Sequence, residues 1–95
     1  MQIADFKLLI DNKIAFNLLD VRTPSEFEGF NFGGINLPMD ELFQQLDKIV
    51  AWQKEPFIII CGTGLLSGIA VRVLKSKGFE FSENLEGGIE TFLMI

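Results

Sequence analysis

The run FIII at residues 57–60 limits the possible folds most strongly, because no polar residue interrupts it. Its length is typical of a β-strand, and its lack of alternation predicts burial on both faces, as in parallel sheets covered by helices. The following residues, CGTGLLSGIAVRVLKSKGF, begin with glycines and continue with apolar residues such as Ile69 and Leu74 at helical spacing. This stretch therefore predicts a buried strand, a tight loop and an amphipathic helix closed by Gly78.

Helical and strand patterns alternate along the rest of the chain. Thr23 before a proline, with Glu26 three residues later, predicts a capping box at a helix start. The remaining predicted segments are a helix at 3–12, a strand at 15–21, a short helix ending near Gly29, a strand at 35–37, a helix at 39–50 whose stripe is Leu42, Phe43, Leu46 and Ile49, a strand at 79–85 and a C-terminal helix from Gly87. This order predicts an α/β fold with a mostly parallel sheet, in one domain spanning 1–95.

Composition excludes several classes of function. A formal net charge of −5 offers no cationic surface for nucleic acid or for anionic lipid, so neither is expected as a partner. The single cysteine cannot form an intramolecular disulfide, and the absence of histidine argues against metal sites and Cys–His proteases. No signal peptide and no membrane-spanning run is evident, so we expect a cytoplasmic protein.

Cys61 follows the buried strand, at the edge of the sheet where open α/β folds place their functional loops. The residues CGTGLLS would surround its sulfur with backbone N–H groups and the positive end of the next helix, which favours the reactive thiolate. Gly62 and Gly64 suggest unusual backbone dihedrals in this loop. The alternative is that Cys61 is an inert apolar residue that ends a buried strand.

A dinucleotide-binding turn is a second alternative for GTGLLSG, because a strand, a G-x-G and a helix follow one another. Its third glycine comes one position late, and Ser67 stands where that motif needs glycine or alanine. Too little chain follows for a second nucleotide-binding half. These departures disfavour the nucleotide site.

Three ordered stretches resemble the motifs of single-domain rhodaneses. They are NLLDVRTPSEFEGFNFGGINLP, CGTGLLSGIAVRVLKSKGF and NLEGGIETF, and together they cover nearly the full length of the chain. The resemblance implies a three-layer fold in which helices flank a mostly parallel, five-stranded sheet. It also implies a sulfurtransferase that needs no cofactor or metal.

The resemblance assigns roles to individual residues. Cys61 matches the nucleophile that accepts a sulfane sulfur as a persulfide and passes it to a thiophilic acceptor. The loop that would bind the substrate comprises Gly62, Thr63, Gly64, Leu65, Leu66 and Ser67. Structural supports are expected at Asp20, Arg22, Glu26, Gly87 and Gly88, with Arg22 and Glu26 forming a local ion pair.

The chain departs from the family pattern at the donor site, since its loop lacks the arginine that many active rhodaneses carry. Without a guanidinium, an anionic donor such as thiosulfate loses charge-assisted hydrogen bonds of about 1.5 to 3 kcal/mol each. Phe30 and Phe92 stand where the family has histidine and tryptophan. We therefore expect thiosulfate to be a poor donor.

Apolar residues take the place of the missing cations. Our hypothesis is that Leu65, Leu66, Phe30 and Phe32 form an apolar mouth around Cys61, and the alternative is that they pack inward as core. The expected partner is a small sulfane-sulfur donor or a persulfide-carrying protein, whereas the sequence does not indicate an oligomeric state. A competing hypothesis is a rhodanese-like binding or regulatory module without catalysis.

Overall fold

Helices and strands alternate in the computed structural model, which describes every residue from 1 to 95. The helices are Ile3–Asp11 (α1), Pro24–Gly29 (α2), Leu65–Ser76 (α3) and Gly88–Phe92 (α4), and the strands are Asn17–Asp20 (β1), Ile35–Asn36 (β2), Phe57–Ile60 (β3) and Ser82–Asn84 (β4). None of the helices combines the length and apolar content needed to cross a bilayer. The predicted α/β class is confirmed.

The four strands form one sheet in the order β2-β1-β3-β4, and every neighbouring pair is parallel. Leu19 lies opposite Ile35 on one side and opposite Ile59 on the other. The carboxyl ends of β1, β2 and β3 therefore meet at one edge of the sheet. Loops that leave this edge can converge on a single site.

The predicted fifth strand is absent, so that part of the prediction is wrong. Met1 alone pairs with this side of the sheet: its amine donates to the Asn84 carbonyl at 2.6 Å, and its carbonyl accepts from the Glu86 N–H at 3.0 Å. Helix α1 begins two residues later, at Ile3. These two hydrogen bonds satisfy backbone groups of Asn84 and Glu86 at the end of β4, but a single paired residue does not make a fifth strand.

The apolar side chains of the sheet alternate between two helical layers. On one face, Phe57 and Ile59 belong to a core cluster that includes Ala70 and Leu74 of α3. On the other face, Ile58 and Ile60 pack with α1 and α4 in a second cluster. All four residues of β3 are buried, as the uninterrupted FIII run predicts.

The predicted helix at 39–50 is instead two 3₁₀ segments, Leu42–Gln44 and Leu46–Trp52. Gln45 separates them with φ −129° and ψ 32°, which is outside the helical range. The interruption removes the predicted 3.6-residue stripe. Leu42 and Ile49 still reach the core, whereas Phe43 remains 36% exposed.

Candidate active site

A cleft of about 420 Å³ opens at the carboxyl edge of the sheet. It is bordered by the residues that follow β1, β2 and β3, together with one residue of α4, so it lies where the topology predicts a site. The lining residues are Val21, Arg22, Thr23, Glu26, Pro38, Met39, Asp40, Cys61, Gly62, Thr63, Leu66 and Glu90.

Cys61 immediately follows β3 and is only 3% exposed. Its Sγ accepts hydrogen bonds from the backbone N–H of Gly64 at 3.0 Å and of Ser67 at 3.4 Å. The hydroxyl of Ser67 lies 3.2 Å from the same sulfur. The predicted backbone cradle is thus present, and it presents N–H groups from the start of α3 to the sulfur.

The other predicted loop residues divide into two groups. Gly62, Thr63 and Leu66 line the cleft, and the Thr63 hydroxyl accepts from the N–H of Leu65 at 3.3 Å. Leu65 is 69% exposed and lies outside the cleft lining. Ser67 is fully buried beneath the sulfur. The loop therefore supplies both a backbone floor and part of the cleft wall.

Gly64 explains why the loop can turn so tightly. Its φ of +89° is in the left-handed region, and a Cβ there would lie 3.0 Å from the backbone nitrogen of Gly87. Gly62 has no positive φ, so the prediction of unusual dihedrals is right for Gly64 and wrong for Gly62. At Gly62, a Cβ would instead approach Oε2 of Glu90 at 3.0 Å.

Helix α4 holds the loop from behind. The N–H groups of Ile89 and Glu90 donate to the carbonyls of Cys61 and Gly62, each at 3.0 Å. A Cβ on Gly88 would lie 2.4 Å from the Gly62 carbonyl oxygen, and its φ is +66°. This close packing is consistent with the supporting role that the resemblance implies for Gly88.

Arg22 binds one carboxylate and two backbone carbonyls beside the cleft. Its guanidinium binds both carboxylate oxygens of the buried Asp20, through Nη2 at 2.9 Å and Nε at 3.1 and 3.2 Å. It also donates to the backbone carbonyls of Glu26 and Phe30. The predicted ion pair between the Arg22 and Glu26 side chains is wrong, because Asp20 is the ionic partner.

Glu26 completes the predicted capping box of α2. Its Oε1 accepts from the N–H and hydroxyl of Thr23 at 3.2 and 3.0 Å, and the Glu26 N–H donates back to that hydroxyl. The backbone and side-chain hydrogen bonds from Thr23 lower the pKa of the Glu26 carboxyl below its usual value, and the charge of Arg22 adds to this effect.

The hypothesis of an apolar mouth holds for one residue. Leu66 lines the cleft and is 45% exposed, so packing both leucines inward as core is wrong. Phe30 and Phe32 lie outside the cleft lining and stack edge to face, with ring centroids 5.2 Å apart. Phe32 continues into a cluster with Phe92 at 5.0 Å. The phenylalanines thus belong to the apolar packing beside the cleft.

A family model described as "Rhodanese-like domain" matches residues 3–94. The chain belongs to the rhodanese-like family. The uncharacterized protein YqhL of Bacillus subtilis is 35% identical over 74 residues, which are 77% of this chain and 57% of YqhL.

Two further rhodanese-like relatives extend the comparison. The adenylyltransferase and sulfurtransferase MOCS3 of Drosophila virilis is 31% identical over 97% of this chain, which spans only 22% of MOCS3. The crystal structure of SSP1007 from Staphylococcus saprophyticus superposes with a TM-score of 0.84 at 28% identity, covering 97% of this chain and 90% of that one. Family membership and the similarity to a protein named as a sulfurtransferase support a role in sulfur transfer.

The charge of this rhodanese-like cleft was not foreseen. Asp40 and Glu90 line it together with Glu26, and its one cationic side chain, Arg22, is neutralised by Asp20. Asp40 follows β2 and Glu90 belongs to α4, so only the tertiary fold brings them to Cys61. Their spacing along the sequence contains no signal for this arrangement.

Proposed function

We propose that this rhodanese-like protein is a sulfurtransferase that carries sulfane sulfur as a persulfide on Cys61. The observation that carries the proposal is the cradle around the Cys61 sulfur, in which the N–H groups of Gly64 and Ser67 point at Sγ from the start of α3. Such donors stabilise negative charge on sulfur, both on a thiolate and as a bond to it forms or breaks. The sulfur faces a cleft large enough for a small donor.

The proposed transfer has two displacement steps. The Cys61 thiolate attacks the outer sulfur of a persulfide R–S–SH, so that a new S–S bond to Cys61 forms, the S–S bond of the donor breaks, and RS⁻ leaves. An acceptor thiolate then attacks the outer sulfur of the Cys61 persulfide, and the Cys61 thiolate leaves. Neither step needs a base to remove a proton during transfer, which is consistent with a chain that has no histidine.

The proposed donor is a small persulfide or a persulfide-carrying protein, in preference to thiosulfate. In thiosulfate the anionic sulfonate is bonded directly to the sulfane sulfur, so it must enter a cleft that contains Glu26, Asp40 and Glu90. Arg22 does not offset the charge of the sulfonate, because Arg22 is already paired with the carboxylate of Asp20. A free thiol of this kind suits a reducing compartment, so we expect the protein in the cytoplasm.

Intact mass tests the proposal. The protein is incubated with glutathione persulfide or with thiosulfate, and the Cys61→Ser variant is treated in parallel. We expect one added sulfur from glutathione persulfide, little from thiosulfate, and none in Cys61→Ser. Transfer of that sulfur to cyanide or to a thiol completes the test. The absence of any adduct with either donor would refute the sulfurtransferase and favour a non-catalytic binding module.

A further inference from the structure

Asn84, the last residue of β4, links two of the groups that contact the Cys61 sulfur. Its side-chain amide donates through Nδ2 to the carbonyl of Gly64 at 3.2 Å. Its Oδ1 accepts from the hydroxyl of Ser67 at 2.5 Å. Gly64 and Ser67 are the same residues whose N–H groups point at Sγ. Asn84 thus lies behind the cradle and forms no hydrogen bond with the sulfur.

The orientation of the Asn84 amide follows from its neighbours. A backbone carbonyl only accepts hydrogen bonds, so the Gly64 oxygen requires the NH₂ group of Asn84 on its side. The opposite end of the amide, Oδ1, must therefore face the Ser67 hydroxyl. Oδ1 is also an acceptor only, so the single hydroxyl proton of Ser67 lies on the line to Asn84.

This arrangement leaves the Ser67 hydroxyl without a proton for sulfur. The Ser67 oxygen lies 3.2 Å from Sγ and presents a lone pair to it, which a thiol S–H can meet as donor. A thiolate cannot. When Cys61 ionises, one of two costs arises. Either the Ser67 hydroxyl rotates its proton from Asn84 toward the sulfur and loses the hydrogen bond to Asn84, or its lone pair faces the negative charge of the sulfur.

We infer that Asn84 is a positioning residue that sets the proton of the Ser67 hydroxyl and thereby disfavours the empty thiolate. In a Cys61 persulfide, Sγ carries neither a proton nor the charge, so the Ser67–Asn84 hydrogen bond stays undisturbed. Asn84 therefore shifts the balance from the empty thiolate toward the sulfur-loaded carrier. The claim about the persulfide, called the loaded half, rests on the proposed function. The claim that Asn84 disfavours the thiolate, called the thiolate half, does not.

The pH dependence of alkylation tests the thiolate half. The rate of modification of the single cysteine by iodoacetamide is measured for the wild type, Asn84→Ala, Ser67→Ala and the double variant. We expect Asn84→Ala to move the midpoint of the pH–rate profile down by about one pH unit, because the freed hydroxyl can donate to the thiolate. In the Ser67→Ala background the same substitution should move the midpoint little. The charged side chains that line the cleft with Cys61 are the same in all four proteins; they are Arg22, Glu26, Asp40 and Glu90.

Asn36→Ala is the matched control, since Asn36 also ends a strand and donates to backbone carbonyls, those of Asp20 and Arg22. It should leave the midpoint unchanged. An upward shift or no shift in Asn84→Ala overturns the inference. So does a downward shift that persists undiminished without the Ser67 hydroxyl, because the effect would then not pass through that group.

The infrared S–H stretch keeps the inference testable if Asn84→Ala does not fold, and a loading measurement adds to it where that variant folds. The infrared S–H stretch of the wild type arises from one cysteine. It should have the low frequency of a donating thiol and move to the free-thiol value in Ser67→Ala, and identical bands would overturn the inference. Where Asn84→Ala folds, its equilibrium persulfide fraction with glutathione persulfide should be lower than that of the wild type. Failure of loading in the wild type would refute the proposed function alone.

Discussion

Glu90 offers the sharpest test of how charge governs access to Cys61. Its carboxylate oxygen lies 3.0 Å from the position of a Cβ on Gly62, the residue next to Cys61, and it forms part of the cleft wall. The route from this oxygen through the Cβ position and two consecutive Cα atoms to Sγ sums to at most about 11 Å. Glu90→Gln removes the charge and keeps the shape of the side chain.

The size of the effect follows from Coulomb's law. Unit charges about 11 Å apart interact by about 0.4 kcal/mol in water, and by more near the low-dielectric protein surface. This energy corresponds to a factor of about two in rate for a reagent of one charge. Glu90 speeds the reaction of a cationic reagent and slows that of an anionic one by this same factor. The ratio of the two rates should therefore change by about fourfold or more when Glu90 becomes Gln.

Methanethiosulfonates provide such a pair of reagents, one bearing a trimethylammonium group and the other a sulfonate. In both, the Cys61 thiolate attacks the sulfane sulfur, a mixed disulfide forms and methanesulfinate leaves. The wild type should react faster with the cationic reagent than with the anionic one. The ratio of the cationic to the anionic rate should be lower in Glu90→Gln at about 10 mM salt, where the Debye length is about 30 Å. The difference in this ratio between the two proteins should vanish at about 1 M salt, where the Debye length is about 3 Å.

Glu80→Gln is the matched control, because it makes the same change of net charge. Glu80 lies just before β4, at the opposite end of the sheet from Cys61. Its substitution should leave the rate ratio nearly unchanged. An equal effect from both variants would mean that net charge, and not the cleft, governs access. A ratio that Glu90→Gln leaves unaltered at low salt would refute the reasoning about the cleft.

Three further predictions concern donor choice and stability. Leu66→Arg should raise the kcat/KM for thiosulfate about tenfold to a hundredfold, since it restores a charge-assisted donor in the cleft; unchanged turnover would contradict this. Gly88→Ala should destabilise the fold by about 2 kcal/mol or more in urea denaturation, because its Cβ would meet the Gly62 carbonyl at 2.4 Å and its φ is positive; an unaltered midpoint would show that the loop yields. Thr23→Ala should cost about 1 kcal/mol at pH 7 through loss of the cap. Because the pKa of Glu26 is lowered from 4.5 in the folded protein, its contribution is present above that value and lost as pH falls below it, so the cost should shrink at pH 3; equal costs at both pH values would count against this.

Local signals in the sequence were sufficient for several elements. The FIII run depends only on burial on both faces, and β3 occupies those four residues with all of them buried. The capping box depends on Thr23 and on Glu26 three residues later, and both of its reciprocal hydrogen bonds are present. The position of Cys61 follows in turn, because a parallel strand must end at the edge where the loops gather.

Other features depend on partners that local patterns do not specify. Arg22 lies near both Asp20 and Glu26 in sequence, but Asp20 is buried and needs a cation, whereas Glu26 is exposed and already capped by Thr23. The buried carboxylate of Asp20, and not the exposed one of Glu26, is therefore the ionic partner of Arg22. The helical stripe predicted for 39–50 is absent because non-helical dihedrals at Gln45 interrupt the segment.

The cradle is aimed by contacts on its far side. The carbonyls of Cys61, Gly62 and Gly64 accept hydrogen bonds from the N–H groups of α4 and from the amide of Asn84. Because each peptide unit is planar, fixing a carbonyl also fixes the N–H of the following residue. The three carbonyl contacts thus restrict the loop that presents N–H groups to Sγ. A change at Gly88 that separates α4 from the loop should therefore weaken the sulfur site as well as the fold, although Gly88 forms no hydrogen bond with the sulfur.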